Sequence, residues 1–491
     1  MKKKFMALFF ILVVGLSVVA SGCISGSSSS SNSSGTATPS SSGITLVIVT
    51  RHDATIQYKV KQTFLKSEIA KEYHITNLKF IGVPEALWPK YIKQGADVGW
   101  GGGPTLFDDM YKMGYLVPIT NQKVLGLIGT KIPESLAGMP MIRKDQSGKV
   151  YWIAAALSSF GFTVNKKELQ KWNLPFPEKW EDLATPKWAV NPPQYGIADP
   201  TRSTSNTRIY QIILQAFGWD QGWRIMTIIA ANSKIYEASD AVRDAVINGE
   251  IAAGNTIDFY GYTAMKQNPN CVYVIPQGES IINGDPIALL KYSKHPEAAQ
   301  AFIYWVLTQG QAVWMSPDIN RLPIWGGIFN QTVTQEYSKV LFNGKFAGKT
   351  YGQARPALLK AYQLAISSKG IPFNDKEALE TVNSLQYYFK ATLIDVNGPL
   401  HQAWTAIVNA YKSGKIDENQ FKQLENELTA PIQFKDPLTG KTVTFTEDYA
   451  AKINDKISTD ASFQSQIMQE WRTAAQAKYN KVLNDLKSMS S

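Results

Sequence analysis

Cysteine is almost missing from this chain: Cys23 and Cys271 are the only two among 491 residues. Once Cys23 has another use, no internal disulfide framework is possible, and a single Cys271 beside Val272 and Val274 reads as a packing residue. Histidine is nearly as scarce. His52, His74, His295 and His401 fall in separate segments, with no metal-spaced pair, and no nucleophile elbow occurs either. The adjacent carboxylates Asp108 and Asp109 read as charges set against a helix macrodipole. Dense Lys/Arg blocks are also lacking. The net charge is +10, three of those charges sit in Lys2, Lys3 and Lys4, and the rest are spread along the chain. That distribution argues against nucleic-acid binding, while a mildly basic body suits an anionic ligand or membrane surface. Finally, the apolar run beginning at Phe5 stays below the roughly 18 residues expected of a spanning helix.

What stands at the start is a leader pattern. The three lysines precede the apolar run Phe5 to Val14, which continues in small and apolar residues to Ala20. A basic, then apolar, then small-residue order describes a secretory signal over residues 1–22. Residues 23–43 are mostly Ser, Thr, Gly, Asn and Pro. Such a composition buries too little apolar surface to offset chain entropy, so it predicts a flexible tether spanning about 25 Å.

The 44% hydrophobic and 18% charged content is that of a globular body, long enough for two or three domains. Ile44 to Val49 is an apolar, β-branched run expected as a strand buried on both faces. Ile56 to Tyr73 reads as one helix, Leu78 to Val83 as a strand, Trp88 to Gln94 as a helix, Asp97 to Trp100 as a strand and Thr105 to Met113 as a helix. This alternation predicts an α/β doubly wound sheet. Ligands bind beyond the carboxyl ends of such strands, where Thr50 to Asp53 and Gly101 to Thr105 stand. Tyr151 to Phe160 and Gly161 to Asn165 read as two extended pieces. Asp199-Pro200-Thr201-Arg202-Ser203-Thr204 then runs into a helix, gathering hydroxyls and an arginine at a helix N-terminus, a favourable place for an anion. Further on, Ala238 to Asn248 reads as a helix, Ile251 to Ile257 as a strand and Ala298 to Thr308 as a helix.

Four stretches in this order resemble the type II periplasmic solute-binding proteins of ABC importers, of the extracellular solute-binding family 1 kind near the iron, thiamine and phosphonate branch. They are Asp97 to Asp108 (DVGWGGGPTLFD), Asp199 to Thr204 (DPTRST), Asp240 to Asp258 (DAVRDAVINGEIAAGNTID) and Lys294 to Leu307 (KHPEAAQAFIYWVL). The N-terminal Ala20-Ser21-Gly22-Cys23 in turn resembles a lipobox, which makes Cys23 the lipidation site. The resemblance implies a two-lobed periplasmic-binding-protein-like type II fold with hinge strands. Its parts are lobe one over 44–155, hinge and lobe two over 156–258, and a return to lobe one over 259–330. Residues 331–491 lie beyond it and read as a mainly helical C-terminal extension. Two apolar stripes mark the extension, one through Leu379, Val382, Leu385, Tyr388 and Phe389, the other through Phe463, Ile467, Trp471, Ala475 and Tyr479. Ile432 to Phe445 reads as a hairpin between them.

The implied function is that of an extracytoplasmic, membrane-anchored binding lipoprotein, monomeric, without enzymatic activity or cofactor, serving an ABC permease and ATPase. The expected ligand contacts are Arg51, His52, Gly102, Thr105, Ser159, Arg202, Ser203, Thr204, Ser205, Asp258 and Tyr260. The arginines and hydroxyls point to a phosphate, phosphonate or phosphorylated organic ligand. Ferric iron, through His52, Tyr260 and Tyr262, is the alternative, as is a sugar stacked on Trp88 or Trp100. A surface sensor or exported enzyme on the same fold is the alternative from another class.

Overall fold

The computed structural model describes residues 43–490. The signal, Cys23 and all but the last residue of the tether lie outside them. Among the described residues no helix is long and apolar enough to cross a membrane.

Eight of the eleven strands of the central sheet follow the order Ile75–Gly82, Ile44–Thr50, Val98–Trp100, Ile282–Leu289, Val150–Asn165, Ala253–Ile257, Tyr195–Ala198 and Ser233–Tyr236, while Ile142–Lys144, Cys271–Val274 and Leu322–Pro323 pair with Val150–Asn165 beside this path. The first three are mutually parallel, and so are the last three. Between these parallel halves lie Ile282–Leu289 and Val150–Asn165, each antiparallel to its neighbours. Val150–Asn165 serves both halves. Its residues from Trp152 to Ser159 pair with Ile282–Leu289, and Phe160 to Val164 pair with Ala253–Ile257. Helices cover the faces, so the inner strands Val98–Trp100 and Tyr195–Ala198 are buried throughout, as parallel strands covered on both sides must be, while the edge strand Ile75–Gly82 exposes Thr76 and Lys79.

Two expectations are corrected. The pieces Tyr151 to Phe160 and Gly161 to Asn165 form a single 16-residue strand. Gly161 does not break it, because its backbone stays extended opposite Thr256. The missing side chain instead admits the antiparallel neighbour Cys271–Val274: a Cβ at Gly161 would lie 2.0 Å from the Val274 carbonyl oxygen. The helix expected over Ile56 to Tyr73 is two, Ala54–Phe64 and Glu68–Glu72. Ser67 separates them by capping the second, its side chain accepting the Ala70 N–H, a favoured use of serine.

Residues 331–490 are mainly helical. The hairpin forms from Gln433–Lys435 and Thr442–Thr444. The stripe from Phe463 to Tyr479 is wholly buried along helix Ala461–Met489. In helix Asp375–Phe389 the inward face carries Ala378, Thr381, Leu385, Tyr388 and Phe389, while Leu379 and Val382 are half-buried beside it. This region shares one apolar core with the sheet. Phe389 stacks on Tyr210 at 4.0 Å between centroids, and Trp404 Nε1 donates to Asn232 Oδ1 at 2.8 Å.

Candidate ligand-binding site

Strand Ile44–Thr50 ends in Arg51 and His52. Thr50 fixes that turn by donating its hydroxyl to the Trp100 carbonyl at 2.7 Å and accepting the His52 N–H at 3.0 Å. The adjoining strand Val98–Trp100 ends in Gly101, Gly102 and Gly103, all with positive φ, a region glycine enters without steric cost. Side chains are also excluded by space. A Cβ at Gly101 would lie 2.7 Å from the His52 ring, and one at Gly102 would lie 2.9 Å from Arg51 Cγ. The turn leads into helix Pro104–Lys112, which presents Thr105.

The N–H groups of Gly102 and Gly103 both donate to Asp285 Oδ1, at 3.0 and 3.3 Å. The other Asp285 oxygen lies 2.8 Å from Arg321 Nη1. Burial alone would raise this carboxyl, but Arg321 first, then His52 and the two N–H groups, outweigh it and hold it below the usual carboxylate range. Arg321 also donates to Ser158 Oγ at 2.9 Å and faces His52 Nδ1 at 3.3 Å. Because guanidinium only donates, Nδ1 must accept and the His52 proton sits on Nε2. Burial depresses the His52 pKa to about 4. The imidazole is therefore neutral at pH 7, and its 3.7 Å approach to Asp285 is a polar contact, not an ion pair.

The opposite wall starts at the end of strand Tyr195–Ala198. Asp199 Oδ1 accepts the Thr201 N–H and hydroxyl at 2.9 and 2.7 Å, folding the Asp-Pro-Thr-Arg turn so that Ser203 caps helix Thr204–Phe217. Ser203, Ser205 and Ser239 then form a triad of hydroxyls. Their oxygens lie 3.3, 2.9 and 2.6 Å apart, and Asn206 donates to Ser239 at 2.8 Å. Ser239 opens helix Ser239–Ile247, so two helix N-termini converge on one hydroxyl cluster. Each brings unpaired backbone donors and a partial positive charge. Arg202 stands beside the triad, paired with Glu237 at 3.1 Å in an exposed contact.

These walls enclose a cavity of about 350 Å³. Of the expected contacts, Arg51, His52, Gly102, Thr105, Arg202, Ser203, Thr204, Ser205 and Tyr260 line it. Ser159 and Asp258 do not. They are fully buried and bound to each other, the Ser159 N–H and hydroxyl donating to Asp258 Oδ2 at 2.8 and 3.3 Å. Burial pushes Asp258 up to about 7, against Arg321 and the Ser159 and Phe259 N–H groups. This pair ties the long strand to the segment after Ala253–Ile257 and leaves no atom for a ligand.

Several lining residues escaped the sequence reading: Ser158, Arg208, Ser239, Asn283, Asp285 and Arg321. Arg208 carried a signal, as a charge inside the apolar stretch of helix Thr204–Phe217. Ser239 read as part of a helix start alone. Arg321 and Asp285 meet only through tertiary pairing. The extension supplies Val382 and Gln386 to the same cavity.

The alternative ligand sets do not assemble. Tyr262 packs edge-on against Tyr273 at 5.4 Å, apart from the cavity that Tyr260 lines, so no cluster with His52 forms. Among the described residues no group of three or more His, Cys, Asp or Glu converges. Trp88 and Trp100 are core residues, packed against Phe107 and His52, and offer no stacking face. Cys271 is buried, and burial pushes its thiol up to about 11, which makes it a poor nucleophile.

Residues 49–313, more than half of the chain, match the family described as bacterial extracellular solute-binding protein. The chain belongs to that family, whose members are binding proteins. The phosphoglycerate transport regulatory protein PgtC of Salmonella typhimurium is 30% identical over 175 residues, which are 35% of this chain and 43% of that relative. The match therefore spans less than half the length of the curated relative. Among solved structures, the periplasmic binding protein AfuA from Actinobacillus pleuropneumoniae with fructose-6-phosphate bound is 17% identical with a TM-score of 0.47, covering 65% of this chain and 98% of that one. Iron-bound HitA from Pseudomonas aeruginosa is also 17% identical at a TM-score of 0.47, covering 65% and 99%.

Proposed function

We propose that this protein is the extracytoplasmic solute-binding component of an ABC importer and captures a small anion, a phosphate, phosphonate or phosphorylated organic compound, in the cavity. The observation that carries this reading is the Ser203, Ser205 and Ser239 triad where two helix N-termini converge. Hydroxyls and backbone N–H groups there match the several acceptor oxygens of a phosphoryl group, and the helix dipoles favour its charge. Across the cavity Arg51 adds a cation whose one hydrogen-bond partner is the Val83 carbonyl at 3.4 Å. The partial match to a phosphoglycerate transport regulator makes a phosphorylated three-carbon acid a rational first probe. The two halves of the sheet act as lobes that close on the ligand, and lipidation of Cys23 with the tether to residue 43 holds the body at the membrane.

The test is a thermal-shift and calorimetric screen of the purified protein with inorganic phosphate, 3-phosphoglycerate, fructose 6-phosphate and neutral sugars. A bound anion at a hundredfold excess over Kd raises stability by about 2.7 kcal/mol. Stabilisation by neutral sugars without any by the three phosphates would overturn the anion reading. Retention of full affinity in Ser203→Ala would remove the triad from the site.

A further inference from the structure

Arg208 lies on helix Thr204–Phe217, one turn beyond the serine triad, and lines the cavity. It is held from two sides. Its Nη2 donates to Thr105 Oγ1 at 2.7 Å, on the far wall, and to Asp375 Oδ1 at 2.8 Å, in the C-terminal extension. The Phe373 ring, also in the extension, flanks the guanidinium at 4.7 Å. Both ends of the Arg208–Asp375 ion pair are close to fully buried, at 7% and 12% exposure. Nη1, by contrast, is buried and has no hydrogen-bond partner among the described residues. A buried, unpaired guanidinium N–H carries a desolvation cost that an acceptor within the cavity would remove.

The extension is fixed to this helix and to the turn before it. Gln211 donates to the Ala378 carbonyl at 2.9 Å, Gln386 donates to Thr207 Oγ1 at 3.0 Å, and Lys390 reaches Asp199 Oδ2 at 2.9 Å. Asp375, Val382 and Gln386 thus sit on one helix, the first holding Arg208 and the other two forming cavity wall.

We infer that Arg208 is an anion-anchoring residue, presenting its guanidinium to the ligand, and that the C-terminal extension completes the binding site by setting the direction of that arginine through Asp375. Asp375 is a positioning residue. This inference rests on the anion reading above. It makes a prediction opposite in sign to simple electrostatics. Removing the negative charge of Asp375 would tighten the binding of an anion if charge alone mattered, whereas loss of positioning weakens it.

The experiment is calorimetric titration of the full-length protein and its Arg208→Gln, Arg208→Lys, Asp375→Asn and Asp375→Glu variants with 3-phosphoglycerate and inorganic phosphate. Melting temperatures are recorded without ligand. Arg208→Gln is expected to bind about ten- to a hundredfold more weakly, the range of one charge-assisted hydrogen bond. Arg208→Lys also weakens binding, since it keeps the charge and loses the fork. Asp375→Asn is expected to weaken binding about tenfold or more, with partial recovery in Asp375→Glu. Wild-type affinity in Arg208→Gln, or equal or tighter binding in Asp375→Asn, overturns the inference and leaves the anion reading standing. Failure of the wild-type protein to bind either probe removes both readings together. Should Asp375→Asn not fold, Phe373→Leu takes its place, with weaker binding expected and unchanged binding counting against the positioning role.

Discussion

Arg321 Nη1 lies 2.8 Å from Asp285 Oδ2, with both side chains less than a tenth exposed. The pair joins a residue beyond the matched family segment to the antiparallel strand at the middle of the sheet. Through Asp285 it also reaches the backbone of Gly102 and Gly103. The triglycine turn therefore keeps its shape because a buried carboxylate takes up its donors, and that carboxylate stays ionised because an arginine faces it.

Breaking this pair from one side leaves a charge without a partner in the interior. Arg321→Met is expected to cost roughly 3–5 kcal/mol, and Asp285→Leu a similar amount. The double variant Arg321→Met/Asp285→Leu is expected to recover much of that loss, since neither charge remains. Urea denaturation of the three variants checks this. A loss below about 1 kcal/mol for Arg321→Met would show that the pair is not the support of the turn.

Acid weakens the fold through His52 in a defined window. Its folded pKa is about 4, lowered by burial first and by Arg321 against the pull of Asp285, whereas an unfolded histidine titrates near 6.5. Between these values the unfolded chain holds a proton that the folded chain does not. The stabilisation is complete above about pH 6.5 and is lost as pH falls toward 4, amounting to about 3 kcal/mol. The Asp285 carboxylate adds a loss of the same sign at lower pH, because its folded pKa is depressed. Unfolding free energies measured from pH 7 to 4 should fall more steeply for wild type than for His52→Gln. Parallel slopes would exclude His52 as the source.

Gly161 is predicted to tolerate no side chain. The Val274 carbonyl oxygen lies 2.0 Å from where a Cβ would stand, and it belongs to a backbone, which cannot rotate aside. Gly161→Ala should therefore push strand Cys271–Val274 away from the long strand. Overpacking of this kind costs typically 1–3 kcal/mol. Hydrogen exchange would locate the damage, with the amides that pair Phe162 to Asn165 against Cys271 to Val274 losing protection first. Uniform protection in the variant would refute the assignment.

Much of the fold was legible wherever burial is uniform along a short stretch. Ile44 to Val49 reads as a buried strand from composition, and the hydroxyls of Ser203 and Thr204 mark the helix start that the structure places on the cavity. The stripe from Phe463 to Tyr479 emerged from its spacing. Harder to read was whether a short polar segment faces a ligand or a neighbour. Ser159 and Asp258 have the composition of ligand contacts, yet they satisfy each other, because the antiparallel pairing of Phe160 with Ile257 sets them side by side. Arg321 reaches His52 across 269 positions of sequence, and Arg208 reaches Asp375 across 167. Local periodicity carries no trace of such separations. Gly161 misled in the opposite direction: it resembled a break, and its small size serves close approach instead.

The helix that carries Asp375, Val382 and Gln386 has a consequence for how the protein is made. A polypeptide is synthesised and exported from its N-terminus, and domains fold as they emerge. Strands and loops that form both walls of the cavity are all present once residue 330 has appeared, but Arg208 still lacks its partner and part of the wall is absent. Until the later helices dock, Tyr210 and Trp223 lack the rings of Phe389 and Tyr388 that cover them in the finished chain. The wall of the cavity is thus completed late in biogenesis. A prematurely terminated chain would leave an apolar flank uncovered, a ready target for quality-control proteases.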